Sequence, residues 1–193
     1  MPYLLSLLLF LPTLAHAHTM TEAGGGFEAG LFHPVLGLDH LLAMVSVGLL
    51  SSQIGGKAIF TVPASFVLVM ACGGWLGMEG TALPLVEYGI ALSVIVLGLA
   101  IALGRKLPVF FAMVCVAFFA VFHGHAHGME MPELAEPVKY ALGFLTGTIA
   151  LHIVGVMIGY MANKTRGGPV LVRYLGAFVA GMGFHILLLG LGV

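Results

Sequence analysis

Charge is what this 193-residue chain has least of. Lys and Arg number seven and Asp and Glu eight, 8% of the residues together, against about a quarter in soluble domains. So few ionised groups cannot wet a free-standing globule whose composition is 60% hydrophobic, and they leave no basic patch for nucleic acid. Cysteine is nearly missing as well. Cys72 and Cys115 stand singly in apolar runs without a C-x-x-C pair, so neither a disulfide nor a thiolate zinc site is implied. There is no G-x-x-x-x-G-K-[ST] loop, so nothing marks ATP hydrolysis.

What is present in excess is apolar length and glycine. Mean hydropathy is +1.12, and the 28 glycines are about twice the usual share of roughly 7%. In membrane helices small residues let backbones approach closely, as small-xxx-small pairs such as Gly73 with Gly77 and Gly155 with Gly159 would. Six stretches are long enough to cross the hydrocarbon as helices of about 20 residues. They run near 34–53, 58–78, 84–104, 107–124, 137–161 and 170–192, separated by Gly and Pro turn signals. The expected fold is an all-α integral membrane protein, a bundle of six transmembrane helices over residues 34–193.

The run from Tyr3 to Leu11 is too short to span and leads through Pro12 into Ala15-His16-Ala17, the pattern of a secretory signal peptide over residues 1–17. No Lys or Arg precedes it, so an uncleaved anchor is the alternative. Cleavage would start the mature chain at His18, whose free amine and imidazole form a candidate chelate or an ordinary chain end, with residues 18–33 as a periplasmic segment. Sidedness follows from the charges. Lys57, Arg105, Lys106, Lys164, Arg166 and Arg173 fall on one side and Lys139 alone opposite, while all eight acids lie on or near the other side. The positive-inside rule then places the chain as a multi-pass protein of a bacterial inner membrane, with mature N-terminus and C-terminus periplasmic.

Two polar clusters interrupt this apolar background on the outer side. His33-Pro34-Val35-Leu36-Gly37-Leu38-Asp39-His40 opens the first span, and His123-Gly124-His125-Ala126-His127-Gly128-Met129-Glu130 closes the fourth. Ionisable groups at membrane depth are costly, so such clusters point to function. On a continuous helix starting with Pro34 at its first position, His33 and His40 share a face with Gly37 and Met44, two turns apart. Asp39 suits either a direct metal ligand or the carboxylate that orients a ligating imidazole. If the fourth helix continues past Gly124, His123, His127 and Glu130 fall on one strip and His125 roughly opposite. Imidazole and carboxylate donors suit a borderline divalent ion. His152 and His185 lie alone in the fifth and sixth spans, each either a relay ligand or a hydrogen-bonding packing residue. Glu87, enclosed by apolar residues at the start of the third span, is the better placed of the rim acids.

These residues resemble the HupE/UreJ family of nickel and cobalt permeases. The likeness rests on His33-Pro34-x-x-Gly37-x-Asp39-His40 with Met44 and Gly48, and on Phe122-His123-Gly124-x-Ala126-His127-Gly128-x-Glu130, and it extends through the Glu87 region with Ser93. It implies secondary uptake of a divalent transition metal, nickel first and cobalt next, through a path holding His33, Asp39, His40, His127, Glu130 and Glu87. The metal is cargo and no prosthetic group is implied. Downstream recipients would be hydrogenase, urease or cobalamin synthesis, and a homo-oligomer in membrane lipid remains open. The competing readings are an intramembrane zinc-dependent hydrolase, with three ligands and a carboxylate serving bound water, and a copper- or zinc-selective permease of the same fold.

Overall fold

A computed structural model describes residues 26–192. The expected signal peptide, its Ala15-His16-Ala17 site and His18 lie outside the described residues. Within them the chain forms seven helices: α1 (Gly26–Leu36), α2 (Leu38–Ile54), α3 (Ala58–Met78), α4 (Val86–Leu103), α5 (Val109–Met129), α6 (Pro137–Ala162) and α7 (Gly168–Gly190). Five of these, α3 to α7, are long and apolar enough to cross a membrane, and α1 with α2 makes a sixth candidate as one broken span. No strand occurs among the described residues. Phe60, Leu68, Trp75, Phe110 and Phe118 stand exposed on the outer helix faces, as large apolar side chains do when the solvent is lipid.

Helix pairs approach until backbones touch, and glycine is what permits it. On α3 and α5, a Cβ placed on Gly124 would run into the Met70 carbonyl and one on Gly128 into that of Gly74. On α1 and α6, Gly30 meets the backbone of Tyr140 and Gly143 that of Phe27; Gly48 of α2 sits on the carbonyl of His152, and Gly155 on that of Val45. The expected pairs Gly73 with Gly77 and Gly155 with Gly159 thus serve as packing surfaces. Most of α2 is buried between its neighbours, including Ala43, Met44, Val47 and Leu50.

Two boundaries differ from the sequence expectation, and both matter for the site. The first span is not one helix from residue 34. The chain turns by 83° between α1 and α2 at Gly37, whose backbone is extended at φ −85 and ψ 115. Pro34 therefore lies inside α1 near its end rather than at a helix start, and the continuous stripe through His33, Gly37, His40 and Met44 does not exist. The carboxylate of Asp39 accepts the His40 backbone N–H at 2.7 Å, supplying an acceptor at the positive N-terminal end of α2. The fourth span runs five residues further than expected, so α5 carries His123, His125 and His127 on helical backbone and ends just before Glu130.

The two ends of the bundle separate chemically. Gln53 of α2 donates to the Ile101 carbonyl of α4 at 3.1 Å, and Arg173 of α7 donates to that of Ala102 at 2.9 Å, which gathers the helix ends next to Lys57 and Arg105. The α1–α2 junction, the end of α5 and the start of α4 meet at the opposite end.

Gly124→Ala should cost much of the fold's stability, because the new methyl would need α3 and α5 to part. Gly181→Ala, which meets open space, is the control. Thermal unfolding of the detergent-solubilised variants should show a large drop in Tm for the first and little change for the second; equal Tm values would refute backbone contact at Gly124.

Candidate metal centre

Four imidazoles from three helices stack ring against ring at the acidic end. His33 comes from α1, His40 from α2, and His123 and His127 from one face of α5. The His40 ring lies 4.8 Å from that of His123 and 4.6 Å from that of His127, and His33 lies 4.8 Å from His127 and 6.3 Å from His40, all edge to face. The bend at Gly37 is what makes this possible, since it folds His33 back over the start of α2 instead of leaving it two turns up the same helix. Phe144 of α6 stacks on His127 at 5.1 Å with an interplanar angle of 10°, closing the cluster from the side.

Each ring has a different set of partners. A carboxylate can only accept, so His40 Nδ1–H donates to Asp39 Oδ1 at 2.9 Å. That leaves its Nε2 as a bare lone pair, buried and without a protein partner. His33 donates through Nε2 to Glu130 Oε2 at 2.8 Å. Neither nitrogen of the fully buried His127 has a protein partner. His125, on the opposite face as expected, donates through Nε2 to the Thr81 carbonyl at 2.6 Å and so tethers the loop between α3 and α4. Leaving a buried polar atom unsatisfied costs about 1–3 kcal/mol, and bare imidazole lone pairs are what a borderline divalent cation binds. Among the described residues, no three His, Cys, Asp or Glu side chains converge as a ready ligand set.

The remaining candidates separate. Glu87 stands exposed in the first turn of α4, near enough to Asp39, His40 and Glu130 to feel their charges. His152 of α6 is buried with both nitrogens unpartnered. Phe66 of α3 stands between it and the cluster, its ring 5.6 Å from His123 and 5.3 Å from His152. His185 is exposed on α7, and the structure does not bring it to the others. The reason is rotational: α7 packs on α4 through Gly176 and Gly183, and two residues beyond Gly183 a helix has turned about 200°.

Two contributors carried no signal in the sequence. Tyr140 is fully buried with an unpartnered hydroxyl, its ring 6.0 Å from His33. Phe66 looked like any apolar residue of a span; only the packing of α3 between α5 and α6 reveals its place.

Residues 5–186 match the family described as HupE / UreJ protein. The chain belongs to the HupE/UreJ family. It is 47% identical over 179 residues to a protein named Protein HupE from Rhizobium leguminosarum bv. viciae, covering 93% of each chain. No solved structure matches. The resemblance drawn from the two histidine motifs therefore holds for nearly the whole chain, and with its apolar helices this HupE/UreJ member is a multi-pass membrane protein.

Glu130 lies just past the last residue of α5, with its side chain 51% exposed. Partial burial pushes its carboxyl up, but the hydrogen bond and charge of His33 outweigh this and hold its pKa below the ordinary 4.5. A lowered carboxyl pKa adds stability above the ordinary value and loses it as pH falls through the lowered one. The Tm gap between the wild type and Glu130→Gln should therefore be present at about pH 5 and close in more acid solution. A gap that is absent at about pH 5, or that does not close in more acid solution, would contradict the His33–Glu130 pairing.

Proposed function

We propose that the chain is a secondary permease that carries a divalent transition metal, nickel first and cobalt next, from the periplasmic side to the cytoplasm. The observation that carries this is the His40 ring, held by Asp39 with its other nitrogen bare and buried against two further imidazoles. Family membership supports it, as does the position of the cluster at the end opposite the cationic helix ends.

The chemistry follows a gradient of donor strength. Glu87 and Glu130 at the rim draw in the hydrated cation. His33 releases Glu130 and the ion exchanges water first for the His40 imidazole and then for those of His127 and His123 in turn, with Asp39 as the orienting carboxylate that strengthens His40 as a donor. Phe66 separates this cluster from His152, the next unpartnered imidazole inward, so passage requires that ring to move. His185, turned outward on α7, has no step in this path, and His18 is a candidate extra ligand by its chemistry alone. Both ends of the mature chain lie on the periplasmic side in this topology.

The hydrolase reading is the weaker one. A catalytic zinc site holds three protein ligands and an open position, whereas the donors here lie at successive depths and no three converge among the described residues. Ligand type alone does not choose nickel over copper or zinc, since copper binds such donors more tightly.

His40→Ala should abolish nickel accumulation in cells expressing the chain while leaving its amount in the membrane unchanged, as measured by elemental mass spectrometry alongside immunoblots. Accumulation near the wild-type level would remove His40 from the path.

A further inference from the structure

Ser93, in the middle of α4, holds a position that neither the charge pattern nor the two histidine motifs would single out. It is fully buried, and its hydroxyl has two close neighbours: the Ile90 carbonyl at 2.6 Å and His123 Nε2 at 2.8 Å. One turn before it, Gly89 lies flat against the Phe122 ring of α5, which is what lets α4 come this near to the histidine helix.

A hydroxyl has one proton to give and two lone pairs. The Ile90 oxygen can only accept, and two oxygens at 2.6 Å without a proton between them repel, so the Ser93 proton lies on that contact. Its lone pair then faces His123, and the shared 2.8 Å contact requires that Nε2 carry the hydrogen. The consequence falls on the other side of the ring. His123 Nδ1 is left as a bare lone pair, and it is buried without a protein partner, on a ring 4.8 Å from that of His40.

We infer that Ser93 is a positioning residue for the metal path: it fixes His123 in the Nε2–H tautomer and thereby makes Nδ1 the atom that takes a borderline divalent cation from His40. This rests on the transport reading for the identity of the cargo and deepens it. The two rings are oriented by different chemistry. His40 leans on a carboxylate, which raises the basicity of its free nitrogen, while His123 leans on a neutral hydroxyl whose proton is already committed. His123 is accordingly the weaker donor of the two, which suits an ion that must leave.

The test compares Ser93→Ala with Ser93→Thr, which keeps the hydroxyl, using purified metal-free protein and nickel chloride as probe. Nitrogen-15 NMR of labelled histidines, with the His123 signal assigned through His123→Ala, should show the proton on Nε2 in the wild type and in Ser93→Thr. In Ser93→Ala it should move to Nδ1 or divide between the two. Equilibrium titration should show the nickel Kd rising about tenfold or more in Ser93→Ala, the range seen when a partner of a ligating imidazole is removed, with Ser93→Thr near the wild type. Both changes together support the inference. A wild-type proton on Nδ1, or either change without the other, overturns it. A chain that binds nickel in this pattern but carries none across a vesicle membrane would defeat the transport reading and leave the role of Ser93 standing.

Discussion

Backbone contact between helices is the constraint from which the site follows. Where Gly124 and Gly128 of α5 lie on the main chain of α3, and Gly30 and Gly143 bring α1 onto α6, there is no layer of side chains between the helices to absorb bulk. The polar groups at the end of α5 and at the α1–α2 junction are then pressed into one small volume. Imidazoles that would be solvated on a looser scaffold instead meet each other edge to face, with ring centroids 4.6–4.8 Å apart around His40 and His127. Glycine makes this cheap in a bilayer, where helices associate by packing rather than by the hydrophobic effect.

The cluster is a graded set of lone pairs rather than a closed cage. His33 is occupied by Glu130, His40 by Asp39 on one side only, His123 by Ser93 on one side only, and His127 by no protein atom on either. A resident metal would favour three strong ligands in fixed geometry. A travelling one is better served by donors that differ in strength and can be vacated in turn. The 83° break at Gly37 fits the same logic, because irregular backbone at membrane depth is tolerated where protein or a cavity surrounds it.

Much of this was legible in the residues, and the rest was hidden for physical reasons. The long apolar runs showed themselves because hydrocarbon demands uninterrupted hydrophobicity, and α3 came out at its expected bounds. The two histidine motifs were conspicuous because ionisable groups are so rare in such a chain. The break at Gly37 was not legible: seven-residue spacing aligns His33 with His40 on a straight helix, and Pro34 suits a helix start as well as the last turn of one. Side-chain partners far apart in sequence were out of reach too. His33 with Glu130 spans 97 positions and Ser93 with His123 spans 30, and no periodicity links them. The sequence left His185 either a relay ligand or a packing residue, because depth does not tell which way a helix is rotated, and that is set by the glycines of α7.

Transport by this route requires imidazoles from α2 and α5 to bind one ion together. X-ray absorption of the purified protein loaded with one equivalent of nickel addresses it directly, since imidazole rings leave a multiple-scattering pattern that water and carboxylate oxygens do not. At least two imidazoles should surround the metal. A spectrum showing only oxygen ligands, or a single imidazole, would contradict it.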